Sequence, residues 1–278
     1  MSLKRMLISS VHLSPWGLRD KIRKIPLVAG LQRWLVRNAM SGETFEHRIN
    51  AGPARGLKMR LRLPDDKLLW TGTSELDVTG CLAAEVTPGT VCYDIGSHRG
   101  FMAGVLAING ASEVLCFEPN PENIATIEEL AALNPGLKLT VMPFAVGATD
   151  TEMTFEIMPE SSMGKLSTST FQHGVSGQRT IEVKVVALDN LLSSRKVAAP
   201  TLMKIDIEGA EFDALRGAEQ LILDHKPKLL IEIHSFDLLV QCRAWLAERG
   251  YDLSVVQRDI DGITAADFRV CHMLARAG

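Results

Sequence analysis

Asp94, Gly96 and Gly100 stand in D-x-G-x-x-x-G spacing, and an acid followed by proline, Glu118-Pro119, comes after the next apolar stretch. Glycines at such a turn let the backbone approach a ligand, and an acid ending the following strand can hold a ribose diol. A bound pyrophosphate would call for G-x-G-x-x-G, because it needs bare backbone N–H groups at a helix start. Here the third glycine is missing, and a carboxylate at Asp94 would repel phosphate. A cationic nucleoside suits the residues better, and S-adenosylmethionine, with its sulfonium, ammonium and ribose diol, fits them. The plainer alternative is an ordinary β-α-β turn. A second group lies downstream: Lys204, Asp206 and Glu208, then Glu232 and His234. Lys204 and Glu232 interrupt two otherwise apolar stretches. An isolated buried charge costs several kcal/mol, so each is expected to be the other's partner across neighbouring strands.

These residues need particular elements to position them. Val91–Ile95 and Glu113–Phe117 are short continuous apolar runs, which predicts buried parallel strands, with a helix over Phe101–Asn109 closed by Gly110. Pro121–Leu133 reads as a helix with proline at its start and Asn134-Pro135-Gly136 at its stop. Leu137–Met142 is the third strand, and Phe144–Gly147 is a turn that carries Ala145. Thr151–Ile157 and Thr180–Leu188 alternate apolar and polar residues, which predicts an antiparallel pair. The Ser/Thr/Gly-rich stretch Pro159–Arg179 between them is long enough to suggest a lid. Thr201–Ile207 and Lys228–His234 are predicted as further strands ending at Asp206 and His234, where ligands bind in open α/β sheets. One helix is expected from Glu208 through Ile222, another over Ser235–Gly250, and closing strands over Leu253–Gln257 and Phe268–Ala275. Upstream, Ser41–Gly56 reads as a linker into strand Leu57–Leu63. Gly72 turns the chain and Glu75 opens a helix to about Val86, either favouring the helix dipole or facing a ligand.

The bulk composition is that of a globular protein: 46% hydrophobic, 23% charged, net charge −3. That balance gives no case for nucleic-acid binding. The cysteines (81, 92, 116, 242 and 271) have no C-x-x-C spacing, which fits a reducing cytoplasm. Residues 1–40 differ: Lys4, Arg5, Arg19, Lys21, Arg23, Lys24, Arg33 and Arg37 outweigh a lone acid, Asp20. This basic stretch reads as a helical cap on the domain or as an amphipathic arm for peripheral contact with anionic membrane.

From Leu68 to about Ser235 the chain resembles the FkbM family of S-adenosylmethionine-dependent methyltransferases. The resemblance rests on Gly72-x-x-Glu75, the Asp94–Gly100 turn, Phe117-Glu118-Pro119, Leu188-Asp189, the K-I-D-x-E-G-x-E block at Lys204–Glu211 and E-x-H at Glu232–His234. Ser97-His98 departs from the family's usual Ala-Asn or Ala-His. The resemblance implies an α/β fold: a Rossmann-like, seven-stranded methyltransferase sheet with helices on both faces. It leaves residues 1–45 as an arm before a methyltransferase domain over 46–278, with a hairpin and lid insertion at about 150–188. It implies O-methylation of a hydroxyl on a sugar, glycan or natural-product small molecule. The candidate cofactor contacts are Glu75, Asp94, Gly96, Ser97, Gly100, Glu118, Pro119, Ala145 and Asp206. A hydroxyl acceptor must lose a proton, so His234 is the candidate base, with Asp206 and Glu208 orienting the hydroxyl. Alternatively Asp206, Glu208 and His234 would hold a divalent metal that acidifies it. A nicotinamide-dependent oxidoreductase and a non-catalytic nucleotide-fold module are the competing readings.

Overall fold

The apolar runs around the glycine turn become the centre of a sheet. The computed structural model describes residues 44–157, 164–166, 179–194, 197–256 and 259–278. The basic stretch 1–40 and most of the expected lid lie outside the described residues. The chain opens with β1 (Thr44–Arg48), β2 (Lys58–Arg62), α1 (Lys67–Thr71) and α2 (Leu76–Glu85). The nucleotide-type unit is β3 (Val91–Ile95), α3 (Phe101–Ile108), β4 (Glu113–Phe117), α4 (Pro121–Leu133) and β5 (Leu139–Met142). Next come β6 (Ala145–Val146), β7 (Thr151–Ile157), β8 (Gly164–Leu166), β9 (Arg179–Val186) and α5 (Leu188–Ser193). The chain closes with β10 (Leu202–Ile205), α6 (Glu211–Arg216), α7 (Glu219–His225), β11 (Lys228–Ile233), α8 (Phe236–Glu248), β12 (Tyr251–Val255) and β13 (Cys271–Ala277).

Seven strands form the main sheet in the order β12-β13-β11-β10-β3-β4-β5, with β13 antiparallel to both neighbours. The strand order reverses between β3 and β10, the switch point where an open α/β sheet leaves a crevice at its carboxyl ends. Alternation of side chains divides the core. Tyr93, Leu115, Phe117, Met203, Leu229 and Ile231 face α6, α7 and α8, whereas Cys92, Val114, Cys116, Leu202 and Leu230 face α2 and α3. A four-stranded sheet, β6-β9-β7-β8, contains the expected antiparallel pair of β7 and β9.

Several expectations need correction. Part of the stretch taken as a linker is β1, which pairs antiparallel with β2 and contributes buried His47. The turn at Phe144–Gly147 contains β6, which pairs in parallel with β9. The helix expected from Glu208 to Ile222 is two helices, because Asp189 intrudes. Its carboxylate accepts from the backbone N–H groups of Gln220 (3.0 Å) and Leu221 (2.8 Å), capping the second helix, while Gly217 O accepts from Asp189 N. A side chain at Gly217 would place Cβ 2.0 Å from the carbonyl oxygen of Gly147.

Candidate active site

Ion-pair partners follow from strand register. Lys204 lies directly across from Asp94 on β3, and from Leu230 on β11. Its ammonium therefore sits 3.7 Å from Asp94 Oδ1 and 2.9 Å from Asp206 Oδ2, and donates to Gly96 O at 3.3 Å. The expected Lys204–Glu232 pair is not formed. Glu232 is matched across β13 with His272, whose Nε2 lies 3.0 Å from it. Burial would lower the pKa of Lys204, but Asp206 and Asp94 raise it, so the ammonium stays charged. Burial would raise Asp206, yet Lys204 holds it below the usual carboxylate range. Asp94 is fully buried and burial pushes its carboxyl up, with Lys204 pulling it back.

The glycine turn is packed closely against its neighbours. A Cβ on Gly96 (φ 78°) would stand 1.8 Å from Asp206 O, and one on Gly100 (φ 79°) would meet Leu130 at 2.9 Å. The N–H groups of Gly96 and Ser97 both donate to Phe117 O, so neither is bare for a phosphate. Beyond them His98 adopts φ 50°, a conformation for which Asn, Asp and His are enriched, and its N–H donates to Glu118 Oε2 at 2.8 Å. Asn120 N donates to Glu118 Oε1, also at 2.8 Å, and Asn120 Oδ1 caps α4 by accepting from Glu122 N. Two backbone donors thus fix the orientation of the Glu118 carboxylate. Burial pushes its pKa up to about 7, with those hydrogen bonds opposing the shift.

A cavity of about 1140 Å³ lies over these strand ends. Of the residues singled out from sequence, Glu75, Gly96, Ser97, Glu118, Pro119, Ala145, Asp206 and Glu208 line it. Asp94, Gly100 and His234 are not on its wall: Asp94 reaches it only through Lys204, and Gly100 packs on Leu130 and Ile127 of α4. Phe117, Phe144, Val146 and Ile207 supply apolar wall, and Lys204, Glu232 and Arg99 also face the space. Arg99 was missed from sequence; its guanidinium lies 2.6 Å from Asp66 Oδ1 and ties the glycine turn to the segment before α1. An arginine following the turn gave no hint of a partner thirty-three residues upstream.

His234 stands where expected, just past β11, and is surrounded by acids. Its Nδ1 donates to Glu211 Oε1 at 2.7 Å, and its Nε2 lies 3.3 Å from Glu208 Oε2, 3.6 Å from Glu232 and 3.9 Å from Asp206. Burial would lower its pKa, but Glu211 foremost, then Glu208 and Asp206, raise it to about 9. The side chain is 4% exposed, and the raised pKa favours its protonated form at neutrality, which argues against His234 as the base. Glu208 instead presents its carboxyl to the cavity. Burial pushes it up to about 7, with His234 pulling it back. Glu75, raised by burial and then by Glu232, adopts φ 42° at the start of α2. Asp206, Glu232 and His234 each bring one ligand atom within 4.8 Å of the others, the reach of a metal triad. The Lys204 ammonium and the His234 ring lie among those acids and offset part of their charge.

Sheet order and a cavity at the switch point are those of an α/β fold of the methyltransferase type. The chain belongs to the methyltransferase FkbM domain family, whose profile matches residues 94–253. Hexuronic acid methyltransferase AglP of Haloferax volcanii is 29% identical over 163 residues, which cover 58% of this chain. The match spans 63% of the length of that curated relative. Among solved structures, methyltransferase FkbM from Methylobacillus flagellatus KT is 20% identical with a TM-score of 0.48, over 67% of this chain and 43% of that one. Precorrin-6y C5,15-methyltransferase from Geobacter metallireducens GS-15 is 13% identical with a TM-score of 0.43, over 74% and 90%. Among the described residues, no helix is long and apolar enough to cross a membrane.

Proposed function

We propose that the protein is an S-adenosylmethionine-dependent O-methyltransferase acting on a hydroxyl of a sugar or glycan. The observation that carries this reading is Glu208, a cavity-wall carboxyl with its pKa pushed up to about 7, 3.3 Å from the His234 ring. S-adenosylmethionine supplies an activated methyl group when bound. The residues present suit it: Glu118 is fixed to receive a ribose diol, the apolar wall suits an adenine ring, and Glu75 and Asp206 suit cationic groups. A hydroxyl must lose its proton to become a competent nucleophile, and a base with a pKa near the operating pH serves best. Glu208 takes that proton, Asp206, anchored by Lys204, accepts a hydrogen bond from the acceptor, and His234 holds the ring of acids together.

The archaeal relative, a hexuronic acid methyltransferase, supports a sugar acceptor. A hexuronic acid offers both hydroxyls and a carboxylate, and only a hydroxyl needs a base. The strand-end part of the lining gathers Glu75, Asp206, Glu208 and Glu232, with Lys204 among them and Arg99 elsewhere on the wall. That excess of acids disfavours an anionic acceptor atom, because like charges at close range are costly in a desolvated site. Glu208→Gln tests the assignment: kcat is expected to fall by roughly 10²–10⁴ with cofactor affinity near wild type. The wild-type rate is expected to rise with pH through about 7 as Glu208 ionises. An active Glu208→Gln enzyme with a flat pH profile between pH 5 and 8 contradicts the assignment.

A further inference from the structure

Glu211 enters no step so far. It is fully buried at the start of α6, and acids in a first helical turn need no further explanation than the helix dipole. Its contacts say more than that. Oε1 accepts from His234 Nδ1 at 2.7 Å and from Gly209 N at 2.9 Å. Gly209 follows Glu208 directly, and both have left-handed backbones, with φ of 101° and 54°. For a glutamate that conformation is strained and persists only where surrounding contacts impose it. One carboxylate oxygen thus grips both the backbone that follows Glu208 and the ring that faces the Glu208 side chain. We propose that Glu211 is a positioning residue for methyl transfer, keeping His234 an imidazolium and holding Glu208 at the cavity wall.

The assignment of Glu208 as base, made above, is the premise of this proposal. The groups facing His234 come from every side. Glu211 lies on α6, Glu208 on the loop before it, Asp206 at the end of β10 and Glu232 on its own strand. Lys204 stands beyond Asp206, His272 of β13 against Glu232, and Cys242 of α8 near Glu211. With Glu211 neutralised, the ring loses its shortest contact with an acid. It then gives up its proton at lower pH, and Glu208 is relieved of one of the acids that raise its own pKa. The activity profile against pH is therefore expected to be a bell with limbs near 7 and 9 in the wild type. In Glu211→Gln the alkaline limb moves down and the acid limb does not move up, so the bell narrows from its alkaline side.

The experiment joins NMR titration of the His234 imidazole, S-adenosylhomocysteine binding, and pH–rate profiles for wild type, Glu211→Gln, Glu211→Asp and Glu208→Gln. In Glu211→Gln the imidazole midpoint is expected to fall by at least one pH unit from about 9, with S-adenosylhomocysteine bound as in wild type. Glu211→Asp keeps the charge and is expected to restore the alkaline limb. Glutamine and aspartate variants that lower the rate alike, with both limbs unmoved, would make Glu211 a packing residue and overturn the proposal. A wild-type imidazole titrating near 6.5 overturns it too, whether or not the glutamine variant folds. A fully active Glu208→Gln enzyme would instead overturn the base assignment, a separate failure.

Discussion

At the scale of single residues, the carboxylates of this site differ because their surroundings differ. Glu118 receives two backbone N–H groups and lies in a dry corner, so it is oriented before any ligand arrives. Hydrogen bonds to a charged group are worth about 1.5–3 kcal/mol each, so Glu118→Ala is expected to weaken S-adenosylhomocysteine binding at least about tenfold. Calorimetric titration checks this, and an unchanged affinity would remove Glu118 from the cofactor site. Glu208 and His234 form a couple in which each shifts the other's proton affinity, so their roles cannot be read from residue type alone. Histidine is the usual choice of base because its ordinary pKa is near neutral. Here Glu211, Glu208, Glu232 and Asp206 surround the ring and keep the proton on it, and the group left near neutrality is a glutamate.

At the scale of elements, register decides which charges meet. Lys204 and Asp94 are cross-strand neighbours, 3.7 Å apart, with side-chain exposures of 5% and 0%. Removing one member of a buried ion pair strands the other, at a typical cost of about 3–5 kcal/mol. Lys204→Met is therefore expected to lower unfolding stability by that order, measured by urea denaturation, and a cost under about 1 kcal/mol would show that the pair is dispensable. The strands around the glycine turn were legible because continuous apolar runs bounded by Gly and Pro have few other readings. Pairing was not: two charges in two buried strands suggested each other, whereas the register of β10 against β3 brings Asp94 to Lys204, and Asp206 lies two residues on along the same face. The break after Arg216 was equally hidden, since the Asp189 that caps the next helix is remote in sequence and the local apolar spacing continues through it.

At the scale of the whole molecule, the sheet gathers residues from four strand ends and the segment before the sheet into one cavity. Composition and motif order pointed to that arrangement, because D-x-G-x-x-x-G, E-P, K-I-D-x-E-G-x-E and E-x-H each fall where a parallel strand must stop. What sequence could not supply was depth: it placed Asp94, Gly100 and His234 in contact with ligand, and the structure sets all three behind the wall, supporting the residues that form it. The most direct measurement of the account is transfer of labelled methyl from S-adenosylmethionine to a panel of neutral sugars, glycans and hexuronates. The position and alkali stability of the label in the product are then read. An alkali-stable methyl ether on a sugar hydroxyl is expected, formed by the wild type and lost in Glu208→Gln. Label released as methanol by mild alkali, marking a methyl ester formed without a base, would contradict it.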